Sequence, residues 1–464
     1  MIFNYKNFHF SEVPKIIVKP PGPKARKILE ELTKFDPPFP PKPETPMPPL
    51  TNVFEEAKGA TIRDVDGNIF IDLGAGISVA NVGHCNPVIV KALKVQAEKL
   101  WHLRPWNSSV RLNFLQKIEE IMPGEMKNNI RLGFATGGSD AVEGALKIVK
   151  LLKDKGGIIA FDGAFHGSTH GAIALSANVQ MRKGLRNIMP GAYHVPYPYC
   201  YRCPFNDEYP ECDMMCIRFI ENQLQDPYAG MWEPAAMFIE PIQGEGGYII
   251  PPDEFMPEIR RITQDNDILL VADEIQTGFC RSGKTFAVEH WDVTPDIMLL
   301  SKAMAAGLPG FAAIIMKREL LDVEGARIPH GGTFRSNHLA MSVALANIEF
   351  MVKNDIAKRS KDLGIYTMKA LRDTLEDTKF VGDIRGKGLM IGIEFVKDKE
   401  TKEPFAKFVN KVTDKMLEKG YIILKCGHYK NVIRLMPPII ITKDMLDVGV
   451  AALGDSVSEV EKSY

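Results

Sequence analysis

The sequence predicts an α/β fold: a large domain with a mostly parallel sheet flanked by helices, joined to a smaller α+β domain. Three observations carry this expectation. Short apolar runs alternate with helical patterns through the middle of the chain, the texture changes after about residue 340, and 464 residues exceed what one compact core accommodates.

The apolar runs are Ile130–Ala135, Gly157–Asp162, Ala235–Glu240, Ile268–Asp273, Asp296–Ser301 and Phe311–Met316. Between them lie segments such as Ser139–Lys155, where Ala141, Val142, Ala145, Leu146, Val149 and Leu152 recur at helical spacing. Strands alternating with helices imply βαβ units, whose parallel sheets place ligands at the carboxyl ends of their strands. Beyond residue 340, the helical stretch Leu339–Val352 leads to the Gly-rich Arg385–Gly388, the run Leu389–Phe395, and a strand pair around Tyr421–Lys425 and Asn431–Leu435. The expected division is therefore an N-terminal arm with part of the small domain (1–75), a large ligand-binding domain (76–339) and a C-terminal small domain (340–464). Residues 19–49 are proline-rich at both ends, which excludes regular helix and central strand there, while the proline-free Ala25–Lys34 predicts a short helix.

Composition narrows the function. Lys plus Arg is 57 and Asp plus Glu is 58, so no global field draws in nucleic acid or an anionic membrane, and any anion must be met by a local site. No run of about 18 apolar residues suggests a membrane span. The start, MIFNYKNFHF, lacks the charged and apolar regions of a signal peptide. Seven cysteines, an odd and sparse set, fit a reducing cytoplasm.

Six stations carry chemistry. Thr136-Gly137-Gly138-Ser139 follows a strand and opens a helix, where exposed amides and the helix dipole favour a phosphate; the same pattern also serves as a plain turn with a cap. Phe165-His166-Gly167, at another strand end, offers either an aromatic platform for a flat cofactor or a core Phe beside a hydrogen-bonded loop His. Asp273 ends a buried strand and needs a cationic partner, which a protonated pyridine nitrogen or a structural ion pair would supply. Ser301-Lys302 follows the next strand. A desolvated lysine there suits Schiff-base chemistry, against the alternative of a snorkelling side chain. Lys302 lies 29 residues after Asp273, one βαβ step, which brings both to one sheet edge. Glu240-Pro241-Ile242-Gln243-Gly244-Glu245 places two carboxylates in a tight turn, and Arg434 in an apolar strand suggests a carboxylate clamp; either could be half of a structural salt bridge.

In order and spacing, over roughly residues 50–440, these stations resemble the class III (subgroup II) aminotransferases of pyridoxal 5'-phosphate (PLP) fold type I. The relatives include 4-aminobutyrate, diaminobutyrate and ornithine aminotransferases and amino-acid racemases. The stretch Asp273-Glu274-Ile275-Gln276-Thr277-Gly278 with Ser301-Lys302 downstream is specific to that family. The resemblance implies that Lys302 holds PLP as a Schiff base and shuttles the substrate proton, and that Asp273 pairs with the pyridine nitrogen. Gly138 and Ser139 would bind the phosphate, Phe165 would stack on the ring with His166 beside it, Gln276 would contact the phenolic oxygen, and Glu240 would support the site from beneath. Thr333 would reach the phosphate of a neighbouring subunit, so a homodimer or a dimer-based oligomer is part of the expectation. Glu245 and Arg434 resemble the family's switch pair, in which the arginine is neutralised for an ω-amine and freed for the α-carboxylate of glutamate or 2-oxoglutarate. Ile77 would line the substrate pocket, whose shape would also depend on Trp106 and Arg335.

Two departures from the family pattern stand out. The loop after Lys302 reads Ala305-Ala306-Gly307-Leu308-Pro309-Gly310, and Thr333 is followed by Phe334-Arg335-Ser336-Asn337-His338, closer to diaminobutyrate than to 4-aminobutyrate enzymes. Arg335 would bear on substrate choice or bind a loop carboxylate. The implied activity is transfer of an amino group from an amino acid or ω-amine to 2-oxoglutarate, with racemisation as the alternative, requiring a second acid or base opposite Lys302. Cys200, Cys203, Cys212 and Cys216 have near-metal spacing, but their compact, Pro-containing loop points to free or disulfide-linked thiols rather than zinc.

Overall fold

A computed structural model describes residues 5–35, 52–104, 106–322 and 328–464. The chain forms two units: residues up to Pro87 with Asp362–Tyr464, and Val88–Lys361.

In the smaller unit, β1 (Phe54–Lys58), β2 (Thr61–Asp64) and β3 (Ile69–Asp72) form an antiparallel meander. Helix Pro23–Leu32 lies in the proline-rich arm close to where a helix was expected. Proline opens it, where a missing N–H costs nothing, and Asp66 caps it by accepting from the amides of Lys24 and Ala25, each at 2.9 Å. The rest of that arm, 36–51, falls outside the described residues.

The larger unit holds β4 (Ile130–Ala135), β5 (Gly157–Phe161), β6 (Ala192–Val195), β7 (Pro234–Ile239), β8 (Leu269–Asp273), β9 (Ile297–Leu300) and β10 (Ala312–Lys317). Their order is β4-β10-β9-β8-β7-β5-β6, with only β10 antiparallel to its neighbours. Six of these strands match the apolar runs to within a residue or two; the seventh, β6, is short and carried no such run. Side chains alternate between the two faces of a strand, and here both sets are buried. Ile158, Phe238, Val271, Leu299 and Ile314 share one core with Val142, Ala145 and Val149 of helix Gly138–Lys153. Phe161, on the opposite face, packs edge-on against Tyr197 and Phe255. Because the parallel strands run the same way, the residues that follow β4, β5, β7, β8 and β9 emerge at one sheet edge.

Back in the smaller unit, β11 (Val381–Lys387), β12 (Met390–Phe395), β14 (Leu424–Cys426) and β15 (Val432–Leu435) form an antiparallel sheet in the order β11-β12-β15-β14. The single strand expected around Tyr421–Lys425 divides in two. β13 (Tyr421–Ile422) pairs parallel with β3 in the other sheet, and β14 pairs with β15.

The expected domain limits also move. Residues 340–361 belong to the larger unit, because helix His338–Lys353 packs on the turn that carries Lys302. There the Asn347 amide donates to the carbonyls of Ala303 (2.8 Å) and Met304 (3.1 Å). At the other limit, residues 76–87 stay with the smaller unit, where Gly59 and His84 exchange backbone hydrogen bonds of 2.8 Å in each direction. Among the described residues, no helix is long and apolar enough to cross a membrane.

Leu299 is fully buried at the centre of the large sheet. Leu299→Ala is expected to cost about 3 kcal/mol of unfolding free energy, measured by urea denaturation, because the surrounding layers close only partly around the cavity left behind.

Candidate functional site

At the sheet edge, the loops that follow the strands enclose a cleft of about 190 Å³. Its walls bring together Gly138, Ser139, Phe165, His166, Glu240, Glu245, Asp273, Gln276 and Lys302, all singled out from the sequence, and add Gly167, Ile275 and Ser301.

Asp273 forms the floor. It ends β8, is almost fully buried, and receives two donors: the Ile275 amide at 3.1 Å on Oδ1 and His166 Nδ1 at 2.8 Å on Oδ2. His166 is thus a hydrogen-bonded loop histidine, and its partner is the floor carboxylate. Its side chain is sealed from solvent, its amide donates to Ser176 Oγ at 2.9 Å, and Nε2 is buried without a hydrogen-bond partner. Burial alone would pull the His166 pKa down, but the hydrogen bond and charge of Asp273, with Glu240 nearby, outweigh it and raise it. The His166 hydrogen bond fixes the orientation of the Asp273 carboxylate.

Glu240 ties two loops to this floor. Oε1 accepts from the Phe165 amide and Oε2 from the Gly244 amide, both at 2.9 Å. From behind, the Tyr197 hydroxyl donates to the carbonyls of Glu240 (3.2 Å) and Pro241 (3.1 Å). Burial, together with the Asp273 charge, pushes Glu240 up to about 7, against the opposing pull of His166 and the two amides. The neighbouring Glu274, fully buried under the floor, is likewise pushed up to about 7 by burial.

The phosphate-type cradle lies at the opposite wall. Helix Gly138–Lys153 begins there with free amides, and Ser139 Oγ accepts from the Ser168 amide at 3.2 Å. Gly167 holds φ at +129°, and a Cβ there would stand 2.3 Å from Ser139 Oγ, so only glycine lets the two loops close around this point. Gly244 plays a similar part on the other side, where a Cβ would lie 2.2 Å from the Gln276 amide oxygen. Lys302 sits half-buried at the start of a 3₁₀ turn with φ of +44°, a left-handed backbone uncommon outside glycine and typical of residues whose direction matters.

The donor set fits PLP. An anion cradle at a helix N-terminus, a half-buried aromatic ring, a buried aspartate and a lysine share one small cleft, and the aspartate has no Lys or Arg partner among the described residues. Thr333 does not line this cleft of its own chain; it is exposed on the turn Thr333–Arg335, and its carbonyl accepts from His102 Nε2 at 2.6 Å. Arg434 lies buried on β15 and Ile77 on a left-handed turn, both in the smaller unit.

Arg335 binds a carboxylate, the second of the two roles the sequence offered for it; that the carboxylate is Asp140 and that His330 joins them was not legible, because these residues are some 190 positions apart. The four clustered cysteines line a cavity of about 20 Å³, and all are free. Burial and neighbouring thiols push Cys200 up to about 11 and Cys216 up to about 12. Among the described residues, no group of three or more His, Cys, Asp or Glu is arranged to hold a metal ion.

A family model described as "Aminotransferase class-III" matches residues 43–457. The chain is 35% identical over 448 residues to the leucine/methionine racemase of Thermococcus litoralis, an alignment covering 95% of this chain and 97% of that protein. It is 36% identical over 357 residues to the diaminobutyrate–2-oxoglutarate aminotransferase of Haemophilus influenzae, covering 76% and 77%. The PLP-bound structure of an amine transaminase from an uncultivated Pseudomonas species matches with a TM-score of 0.83 at 27% identity, covering 90% of this chain and 98% of that one.

Two outcomes are expected. Gly167→Ala should destabilise the fold by about 1–3 kcal/mol through backbone strain and displace Ser139, read as a lowered melting temperature together with weaker PLP retention. The second concerns pH. A carboxyl group whose pKa is raised on folding stabilises the native state below its unfolded value, and that contribution is lost as pH rises through the folded value of about 7. His166, also raised, acts in the same direction. Between pH 5 and 8 the apoprotein should lose about 2–3 kcal/mol for each of Glu240 and Glu274. Urea titrations across that range should show a flatter pH dependence in Glu240→Gln and Glu274→Gln.

Proposed function

We propose that this chain, which belongs to the class-III aminotransferase family, transfers an amino group from an amino acid or ω-amine of the 4-aminobutyrate, diaminobutyrate or ornithine type to 2-oxoglutarate. The protein is an enzyme and its cofactor is PLP. The observation that carries the reading is the placement of Lys302 and the buried Asp273 in one cleft with an anion cradle. When bound, PLP supplies a carbonyl that links to amines and an electron-poor ring that accepts negative charge from the adjacent carbon.

The chain's own residues do the rest. Lys302 would anchor the cofactor, and its Nζ would be the group that carries a proton to and from the substrate carbon. Asp273, oriented by His166, would pair with the ring nitrogen of the cofactor and favour a proton there. The amides and hydroxyl at Gly138 and Ser139 would hold the phosphate, Phe165 would cover the ring, and Gln276 would donate to the phenolic oxygen. Glu240 holds the Phe165 and Gly244 loops against this floor. Glu245 in the larger unit, and Arg434 and Ile77 in the smaller unit, are each assigned to substrate binding by their resemblance to the family's positions. Thr333, exposed on its own chain, completes the phosphate site of a partner subunit in a homodimer. The enzyme works in the cytoplasm.

A second reading, amino-acid racemisation, draws on two facts. The alignment with the leucine/methionine racemase runs nearly end to end, and Glu245 is a second ionisable side chain in the same cleft as Lys302. Proton removal by one group and return by another would invert the α-carbon.

The test mixes PLP-loaded protein with single L-amino acids and ω-amines, with and without 2-oxoglutarate, and follows both glutamate and the D-enantiomer. Glutamate formed only in the presence of 2-oxoglutarate is expected, with Lys302→Ala slower by roughly 10²–10⁴-fold. Catalytic D-amino acid formation without keto acid would make racemisation the principal activity.

A further inference from the structure

Behind the cradle lies a group of charges that the proposed chemistry does not use. Asp140 sits in the first turn of helix Gly138–Lys153. Its Oδ2 accepts from the Thr136 amide (2.8 Å) and hydroxyl (3.0 Å), closing the turn that leads from β4 into the cradle. Its Oδ1 accepts from His330 Nε2 (2.9 Å) and Arg335 Nη2 (3.1 Å). Lys147 Nζ lies 3.1 Å from His330 Nδ1; an ammonium can only donate, so Nδ1 accepts and the proton rests on Nε2, facing Asp140. His330 is therefore neutral, which leaves Arg335 as the full charge in direct contact with the carboxylate.

Arg335 is only 7% exposed, and its Nε and Nη1 are buried with no hydrogen-bond partner. A buried guanidinium with two unmet donors is costly, and a tie between two loops does not require a charge. A carboxylate two residues from Gly138 creates that requirement. Left uncompensated, Asp140 would oppose the positive end of the helix and repel a phosphate dianion.

We propose that Arg335 is a positioning residue for the cofactor phosphate, acting through Asp140: it cancels the Asp140 charge while Asp140 holds the Thr136 turn, so that the Gly138 and Ser139 amides face the anion with their full field. This rests on the reading of Gly138 and Ser139 as the phosphate cradle. The role differs from substrate selection, since Arg335 does not line the cleft.

The test compares equilibrium affinities for PLP and for pyridoxal, which lacks the phosphate, by absorbance titration of the apoenzyme. Arg335→Gln should weaken PLP about tenfold and pyridoxal less than about twofold. Adding Asp140→Asn, which keeps an acceptor for the Thr136 amide but removes the charge, should restore the PLP-to-pyridoxal ratio to within about threefold of wild type. Arg335→Lys, retaining charge without the planar fork, should also keep that ratio and serves if the glutamine variant fails to fold. An unchanged ratio in Arg335→Gln, a loss in Arg335→Lys equal to that in glutamine, or no recovery in the double variant would overturn the proposal. Ser139→Ala separates the premise from the inference: if it binds PLP as wild type does, the cradle assignment itself fails, whereas if it weakens PLP while Arg335→Gln does not, only the role of Arg335 fails.

Discussion

A carboxylate at the end of a fully buried strand has to find a positive partner, and Asp273 finds His166 at 2.8 Å. Much of the site follows from that pairing. His166 can occupy its sealed position only if the loop after β5 folds inward, and that loop is held by Glu240, which accepts the Phe165 amide. Glu240 in turn receives the Gly244 amide, so the turn bearing Glu245 is fixed by the same carboxylate. Three ionisable groups therefore define the floor: loss of Asp273 or His166 would leave the other without its partner, and loss of Glu240 would leave the Phe165 and Gly244 amides without an acceptor.

The backbone direction of the sheet makes this convergence possible. Parallel strands deliver all their following loops to one edge, so residues from β4 to β9 meet although they span more than 160 positions of sequence. Burial on both faces of the sheet holds the strand ends in place, which is how Lys302 can be kept in a left-handed backbone conformation rather than relaxing into the helical region. Glycines at 167 and 244 then allow loops to approach where any Cβ would collide with Ser139 or Gln276. Rigidity and chemistry share these positions: the residues that organise the floor are the ones whose proton affinities are displaced, Glu240 and His166 both upward.

The same logic extends behind the phosphate cradle. A helix N-terminus attracts anions through its free amides, yet this helix carries Asp140 in its first turn. Asp140 earns its place structurally by bracing Thr136, and the Arg335 guanidinium removes the electrostatic penalty of having it there.

What the sequence determined by itself was whatever depends on local periodicity and chain direction. The runs Gly157–Asp162 and Ile268–Asp273 became strands because near-continuous apolar residues suit a sheet buried on both faces, and placing Gly138, Phe165, Glu240, Asp273 and Lys302 at strand ends was enough to assemble them in one cleft. What only the tertiary structure decided were the partnerships between distant side chains and the allegiance of ambiguous segments. His166 and Asp273 lie 107 residues apart, and Arg335 and Asp140 lie 195 apart. Helix His338–Lys353 joined the larger unit through Asn347 and the Lys302 turn, and Tyr421–Cys426 divided between two sheets. Periodicity states which face of an element is buried, but not against what; that is settled by packing and by the need to pair every buried charge, and both act across the whole chain at once.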